Sequence, residues 1–218
     1  MFRHILLCLL FLTLNLQLEG KSSFDYSNYK ATYTNTKLLM TKVPCTKRGE
    51  SSVYITRSGI TFTMVDVFKR GDYTGRMENT EFYGVNSAVL VQWGQLKMSL
   101  GSITSLEKGA NAIVATNNGI ASLSGTNIKT TGDLSRGFQA NYGGEIFGSS
   151  LSISTEGKSS AALATDKGEG KVSCSSCTLS TKDVGSPLIY STGNIQITST
   201  KGTASKAQAI VIEGKNNV

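Results

Sequence analysis

The side chains that most often carry enzyme chemistry are sparse in this chain of 218 residues. The only histidine is His4, which lies in the short basic start that precedes an apolar N-terminal run. The rest of the sequence therefore holds no Ser-His-Asp triad, no Cys-His pair and no histidine-ligated zinc site. This exclusion is stronger than any positive catalytic motif in the chain.

Carboxylates and basic side chains recur beside predicted turns. Asp133 and Arg136 share one turn, and more acidic residues follow at later turns: Glu145, Asp166, Glu169 and Asp183. Converging carboxylates could hold calcium, a hard cation that prefers oxygen ligands. Asp133, Asp166 and Asp183 do not occupy equivalent repeat positions, which favours solvated turn carboxylates. We predict no metal ligands and no required cofactor, with calcium as the cation that these groups would suit.

Two aromatic residues beside glycine-containing turns are suited to contact a sugar. Trp93 precedes Gly94, and Tyr142 precedes a glycine pair. A flat ring packs well on a pyranose face because both surfaces are apolar and planar. We therefore predict Trp93, Tyr142, Arg136 and Asp133 as the ligand-binding residues.

Serine and threonine also recur near equivalent positions after the last strand of several repeats. The pattern predicts a stacked row of hydroxyls that binds a glycan, orders water, or is only the polar exterior of the stack. Its members are Thr130-Thr131, Ser154-Thr155, Ser180-Thr181 and Thr198-Ser-Thr200.

Three cysteines lie beyond the N-terminal apolar run: Cys45, Cys174 and Cys177. Cys174-Ser-Ser-Cys177 has the spacing of a redox motif, but no βαβ pattern surrounds it and zinc would need more ligands. Two interpretations stay open. Cys174 and Cys177 form a local disulfide, which we predict, or they are two thiols that replace apolar core residues.

One repeated pattern must position all these groups. A short apolar run returns six times, with starts 24, 25, 24, 26 and 22 residues apart, and glycine-containing turns follow the first five. A period of about 20 to 30 residues with two or three short strands is typical of a β-solenoid. No helix-length amphipathic stretch separates the strands. We predict an all-β fold, a right-handed parallel β-helix with coils of about 24 residues; a β-sandwich is the alternative.

Alternate residues of each strand should face the interior, so stacked coils should build columns of apolar side chains. We predict two neighbouring columns. One comprises Ile113, Phe138, Leu163 and Leu188, and the other comprises Ile128, Ile153, Leu179 and Ile197.

The chain divides into three predicted segments. Residues 1–20 have a basic start and a leucine-rich run typical of a signal peptide. Residues 21–52 are polar and tyrosine-rich and should form an irregular N-terminal arm or cap, followed by the β-helix over residues 53–218. Within the latter, residues 69–81 are charged and should project from one corner. No second apolar run has membrane-spanning length, so no transmembrane segment is expected.

The repeat stops midway through a coil at Asn217-Val218. We expect missing sequence or a protein partner to cover the last coil. The formal net charge of +7 suits acidic partners such as uronic polysaccharides, sulfated glycans or anionic lipid. An equally good interpretation is that dispersed lysines only keep the protein soluble. Because the lysines are dispersed and export is predicted, no nucleic-acid partner is expected.

Five segments have a familiar pattern: residues 109–116, 130–137, 141–144, 161–170 and 185–191. They resemble pectin-lyase-like right-handed β-helix proteins, which are secreted or cell-surface, adhesin-like polypeptides, and the resemblance covers about residues 88–218. It implies the fold, an extracellular or cell-surface location and carbohydrate binding. Polysaccharide lyases of this fold use carboxylates for calcium and an arginine or lysine as base. The matched segments specify coil geometry rather than a reaction.

The sequence thus predicts a secreted or cell-surface module that is non-catalytic and binds polysaccharide or another surface ligand. One alternative is a polysaccharide lyase, favoured if Asp133, Glu145 and Asp166 converge on one cation. The other is a purely structural fragment of a surface protein, favoured if both Trp93 and Tyr142 are buried.

Overall fold

Short parallel strands form nearly all the regular structure in the computed structural model, which describes residues 21–28, 30–34 and 37–214. The predicted signal peptide, residues 1–20, lies outside the described residues, as do residues 215–218. The described strands in chain order are β1 Ala31–Thr34, β2 Leu38–Leu39, β3 Lys42–Cys45, β4 Ser51–Ile55, β5 Ile60–Lys69, β6 Val89–Gln92, β7 Gln95–Ser105, β8 Ile113–Thr116, β9 Ile120–Ser124, β10 Asn127–Thr130, β11 Phe138–Ala140, β12 Glu145–Ser149, β13 Ser152–Thr155, β14 Leu163–Thr165, β15 Lys171–Ser175, β16 Thr178–Thr181, β17 Ile189–Ser191, β18 Asn194–Thr198, β19 Lys201–Ala204 and β20 Ile210–Ile212. One helix, α1 (Met77–Tyr83), lies between β5 and β6 in this part of the chain.

These strands stack as a β-solenoid of about seven turns, each about 25 residues long. Every strand pairs in parallel with its counterpart in the next turn, so the predicted parallel solenoid is confirmed. Pairing already includes β1 with β4 and β3 with β5, so it extends into residues 21–52, the segment predicted as a cap.

The solenoid has three faces. Face A is the eight-stranded sheet of β1, β4, β6, β8, β11, β14, β17 and β20. The second sheet bends along its middle and so forms two faces. Face B holds the first halves of β5 and β7 with β9, β12, β15 and β18, and face C holds their second halves with β10, β13, β16 and β19.

The corner between faces A and B depends on glycine at one position of each turn. Gly119, Gly144 and Gly170 each lie directly above a backbone carbonyl of the preceding turn. A Cβ at any of them would collide with that carbonyl oxygen, so only glycine lets successive turns stack this closely.

Apolar columns fill the interior, as the alternation of the strands requires. One column runs through Val89, Ile113, Phe138, Leu163 and Ile189, all buried. Burial of each such side chain contributes roughly 1.5–3 kcal/mol. The predicted last member, Leu188, is wrong by one residue, because the 26-residue spacing before this run places Ile189 opposite Leu163.

The second predicted column is also wrong at its last member. Ile128, Ile153 and Leu179 stack as expected on face C, but Leu179 pairs with Gly202. Ile197 instead follows Cys174 on face B. The reason is that Ile197 precedes the corner at Ser199, so the residue that reaches this column on face C is Gly202, five positions later.

Helix α1 folds back onto face A, although residues 69–81 were expected to project from a corner. The helix ends at Gly84, whose φ of 76° reverses the chain. Asn111 Nδ2 donates to Thr80 O at 2.9 Å, and Asn141 Nδ2 donates to Glu81 O and Phe82 O, each at 2.9 Å. Buried asparagines of the sheet thus satisfy the carbonyls that a short helix leaves unpaired. No helix within the described ranges is both long and apolar enough to cross a bilayer.

Candidate ligand-binding site

The outer side of face B carries a continuous row of hydroxyls. Strand register places one serine or threonine in each of six successive turns: Thr63, Ser99, Ser124, Ser149, Ser175 and Thr198. We call this row the hydroxyl column. Its members follow one another at about 4.8 Å, the separation of neighbouring strands. Hydroxyls can donate and accept, so the column can hydrogen-bond a polar ligand that lies along the solenoid axis.

A second row beside the hydroxyl column is chemically mixed. It contains Thr61, Lys97, Ser122, Phe147, Ser173 and Gln196, one in each turn. The two rows line a shallow groove of about 540 Å³ whose lining includes Lys97, Phe147 and the serines on either side. We call it the serine groove.

Phe147 is the aromatic residue of the serine groove. Its ring is half-buried, and Ser122 and Ser173 occupy its position in the turns below and above. The Nζ atom of Lys171 lies 5.5 Å from the ring centroid, and it is also 4.0 Å from Glu145 Oε2. A ring, cationic amines and aligned hydroxyls are therefore presented together on one surface, a combination suited to an anionic sugar.

Sequence reasoning missed Phe147. The signal was available, because alternation in β12 makes Ile146 face inward and Phe147 face outward. The alignment with Ser122 and Ser173, which distinguishes Phe147 from an ordinary surface residue, required the register of the turns.

The predicted ligand residues Trp93 and Asp133 lie at different corners. Trp93 is 56% exposed in a left-handed conformation at the A/B corner, with φ of 57°. Asp133 is exposed at the corner between faces C and A, where its Oδ1 accepts from Lys158 N at 2.8 Å. The hydrogen bond from the Lys158 backbone is typical of a carboxylate that stabilises a turn. Neither Trp93 nor Asp133 lines the serine groove.

Tyr142 and Arg136 lie on the side of face A. Tyr142 stacks on Tyr83 of helix α1, with ring centroids 5.8 Å apart, and Tyr83 stacks on Phe24 at 4.5 Å. Burial raises the pKa of Tyr142. Tyr142 thus helps to attach the segment before β1 and helix α1 to the solenoid, so only part of its ring is left for a ligand.

Arg136 is largely buried and pairs with Asp166, with Nη2 3.3 Å from Oδ2. Its guanidinium also lies 5.6 Å from the ring centroid of Tyr190. Burial raises the pKa of the Asp166 and Glu81 carboxyls, and the positive charge of Arg136 partly opposes this in both. Arg136 therefore pairs with Asp166 and not with Asp133, although the latter is its neighbour in sequence.

The structure divides the predicted row of hydroxyls between three places. Ser154 and Ser180 align on the outer side of face C, and Thr198 belongs to the hydroxyl column of face B. Thr130, Thr155 and Thr181 do align, but all are buried inside the corner between faces C and A. Thr130 Oγ1 donates to Ser135 O at 2.6 Å, and Thr155 Oγ1 donates to Ser160 O at 2.5 Å. These hydroxyls satisfy the backbone of the corner, whereas the exposed hydroxyl column lies on face B.

Cys174 and Cys177 form a disulfide, and Cys45 is a buried free thiol at the other end of the solenoid.

Across residues 21–28, 30–34 and 37–214, no three histidine, cysteine, aspartate or glutamate side chains group closely enough to hold a metal ion. Asp133, Glu145 and Asp166 in particular do not form such a group.

Comparison with protein-family models, curated proteins and solved structures finds no match to this chain.

Proposed function

We propose that this protein is a secreted or cell-surface, non-catalytic β-solenoid module that binds polysaccharide through the serine groove. The observation that carries the proposal is the hydroxyl column, which repeats without interruption over six turns. An extended glycan offers hydroxyls at a regular spacing along its length, so it can match a regular row of donors and acceptors.

Phe147, Lys97 and Lys171 suggest which sugars would bind. The half-buried ring of Phe147 offers a platform for one pyranose, and the two lysines add positive charge on the same face. The net charge of +7 acts in the same direction over a longer range. Uronic or sulfated polysaccharides are therefore the proposed ligands. Membership of the pectin-lyase-like group and export by residues 1–20 belong to the same proposal.

The test is retention of the secreted chain, beginning at Lys21, on a panel of neutral and acidic polysaccharides, with calcium and then with chelator. We expect retention on acidic members that weakens with salt, because charge contributes to binding. Phe147→Ser should weaken binding about tenfold, since the ring contact is lost. The fold should tolerate serine there, because Ser122 and Ser173 occupy the adjacent turns.

The matched control is Phe68→Thr. Phe68 is a half-buried aromatic on face C, and its neighbour in the next turn is Thr104. This variant should bind like the original chain. Absence of retention on every polysaccharide would disprove the proposal, and equal losses in both variants would place the site elsewhere.

A polysaccharide lyase remains the second proposal, and one observation favours it. Two carboxyls with raised pKa, Glu81 and Asp166, both interact with the positive charge of Arg136 on face A. A raised pKa makes a carboxyl better suited to act as a general acid. New unsaturated ends in the polysaccharide products would establish this activity, and Asp166→Asn should then abolish it.

A further inference from the structure

The corner between faces B and C changes its chemistry along the solenoid. The chain adopts a left-handed backbone there in every turn, with positive φ at Met40, Met64 and Leu100 in the first turns. The equivalent corner residues of the later turns are Gly125, Ser150, Ser176 and Ser199. Glycine and serine therefore satisfy the corner geometry, and the fold does not require large apolar side chains at this position.

The apolar side chains at this corner are exposed. Leu39, Met40, Met64 and Leu100 have exposed fractions of 66%, 72%, 47% and 45%. We call these four residues the apolar ridge. Met40, Met64 and Leu100 stand on the convex corner in three successive turns, and Leu39 directly precedes this corner on face B. Leu100 extends over Gly125 in the next turn. Grouped exposure of large apolar side chains marks an interaction surface more often than single exposed residues do.

Positive charge surrounds the apolar ridge. Lys37, Lys42 and Lys97 are exposed and lie within a few residues of its members in sequence. The acidic neighbour is Asp66, which is opposite Lys42 in the strand register and accepts from Ser102 Oγ at 2.7 Å. The surface therefore combines a narrow apolar edge with flanking lysines.

We propose that the apolar ridge inserts into the headgroup region of an anionic lipid bilayer and holds the solenoid at a membrane surface. Apolar side chains that enter the interface and lysines that meet anionic headgroups are the two components of peripheral membrane binding. The unbranched methionine side chains adapt readily to such a disordered environment. A convex edge fits a deformable bilayer better than it fits the equally convex corner of a second copy.

None of the four apolar ridge residues lines the serine groove, although Lys97 borders both surfaces. Substitutions confined to the ridge therefore test membrane binding separately from polysaccharide binding. The test measures flotation of the secreted chain with vesicles of phosphatidylcholine and phosphatidylserine, and with vesicles of phosphatidylcholine alone. We expect flotation with the anionic vesicles, reduced by salt, and much weaker flotation with the neutral ones.

The decisive variant is the triple substitution Met40→Asn, Met64→Asn and Leu100→Asn. Asparagine tolerates the left-handed conformation, so the variant should keep the fold, as circular dichroism and thermal unfolding will check. It should lose affinity for anionic vesicles by about tenfold or more. If the triple variant unfolds, the single variant Met40→Asn, at the most exposed position, replaces it, with a smaller loss of about threefold expected.

The matched control is Val184→Asn, which removes an apolar side chain of 58% exposure at a different corner. It should float like the original chain. No flotation of the original chain, equal flotation of the triple variant, or an equal loss in the control would each overturn the proposal. Sedimentation velocity adds one more decisive outcome: self-association that the triple variant abolishes would mean that a second copy, not a membrane, occupies the apolar ridge.

Discussion

Faces A and B of the solenoid have the same backbone architecture and opposite exteriors. On face A, buried Asn111, Gln139 and Asn141 point outward into helix α1 and bind its backbone carbonyls. On face B, the serines and threonines of the hydroxyl column occupy comparable outward positions, and none of the described helices and strands packs over them.

The difference shows how one repeat can serve two purposes. A polar residue beneath a covering element must be satisfied by that element, so face A carries amides of defined length and direction. A polar residue on an open face can be satisfied by water and remains available to a ligand. Substitutions on face A should therefore change stability, and substitutions on face B should change binding.

Removal of a covered amide tests this comparison most strongly. Asn141→Ala deletes two hydrogen bonds to Glu81 O and Phe82 O, and a third that Asn141 Oδ1 accepts from Asp166 N at 3.1 Å. We expect a loss of about 3 kcal/mol in the free energy of unfolding, measured by urea denaturation, because each buried partner is left unsatisfied. Ser149→Ala, in the hydroxyl column, should change it by less than about 0.5 kcal/mol. Equal losses would refute the distinction between the faces.

The pH dependence of stability should also differ between covered and open surfaces. Burial raises the pKa of Asp166 and Glu81, so their contribution is complete below the unfolded pKa of about 4 and is lost as pH rises through the folded values. The free energy of unfolding should therefore fall between acidic and neutral pH, as urea titrations at several pH values will measure. The double variant Asp166→Asn and Glu81→Gln should show a smaller fall.

Glu156, which follows strand β13 on face C, should contribute to the pH dependence of stability with the opposite sign. A hydrogen bond from Lys182 lowers its pKa, so its contribution is present above the unfolded pKa and is lost as pH falls through the folded value. Glu156→Gln should therefore reduce stability at neutral pH and have less effect in acid. A change of the same sign in the two sets of variants would contradict the assigned environments.

The smallest expected effect concerns Trp93. Asparagine suits its left-handed backbone, so Trp93→Asn should leave the free energy of unfolding within about 0.5 kcal/mol. Because Trp93 does not line the serine groove, polysaccharide affinity should fall by no more than about twofold. A loss as large as that of Phe147→Ser would extend the binding surface to the A/B corner and support the ligand role predicted for Trp93 from sequence.

The solenoid could be predicted from the sequence because its cause is local and repeated. Short apolar runs such as residues 112–115 and 161–164 recur with glycine-containing turns at a nearly constant distance. Stacking of successive turns is one of few arrangements that bury the apolar side chains of every repeat. The prediction was accurate where the spacing was constant, as for Ile113, Phe138 and Leu163. It was off by one residue at Leu188, where the spacing changed.

The candidate site could not be obtained in the same way. Thr130 and Ser149 are both hydroxyl residues at strand ends, yet the first is buried in a corner and the second is half-exposed on the outer side of face B. Whether a strand-end side chain faces the interior or the solvent depends on the exact residue at which the chain turns the corner. A shift of one residue exchanges the inward-facing and outward-facing side chains.

The sequence by itself determined the period and the parallel stacking, because these depend on composition and regular spacing. Tertiary structure alone decided that helix α1 covers face A, that Arg136 pairs with Asp166, and that six hydroxyls align on face B. These features depend on contacts between residues about 25 or more positions apart, whose relative register is set only when the turns stack.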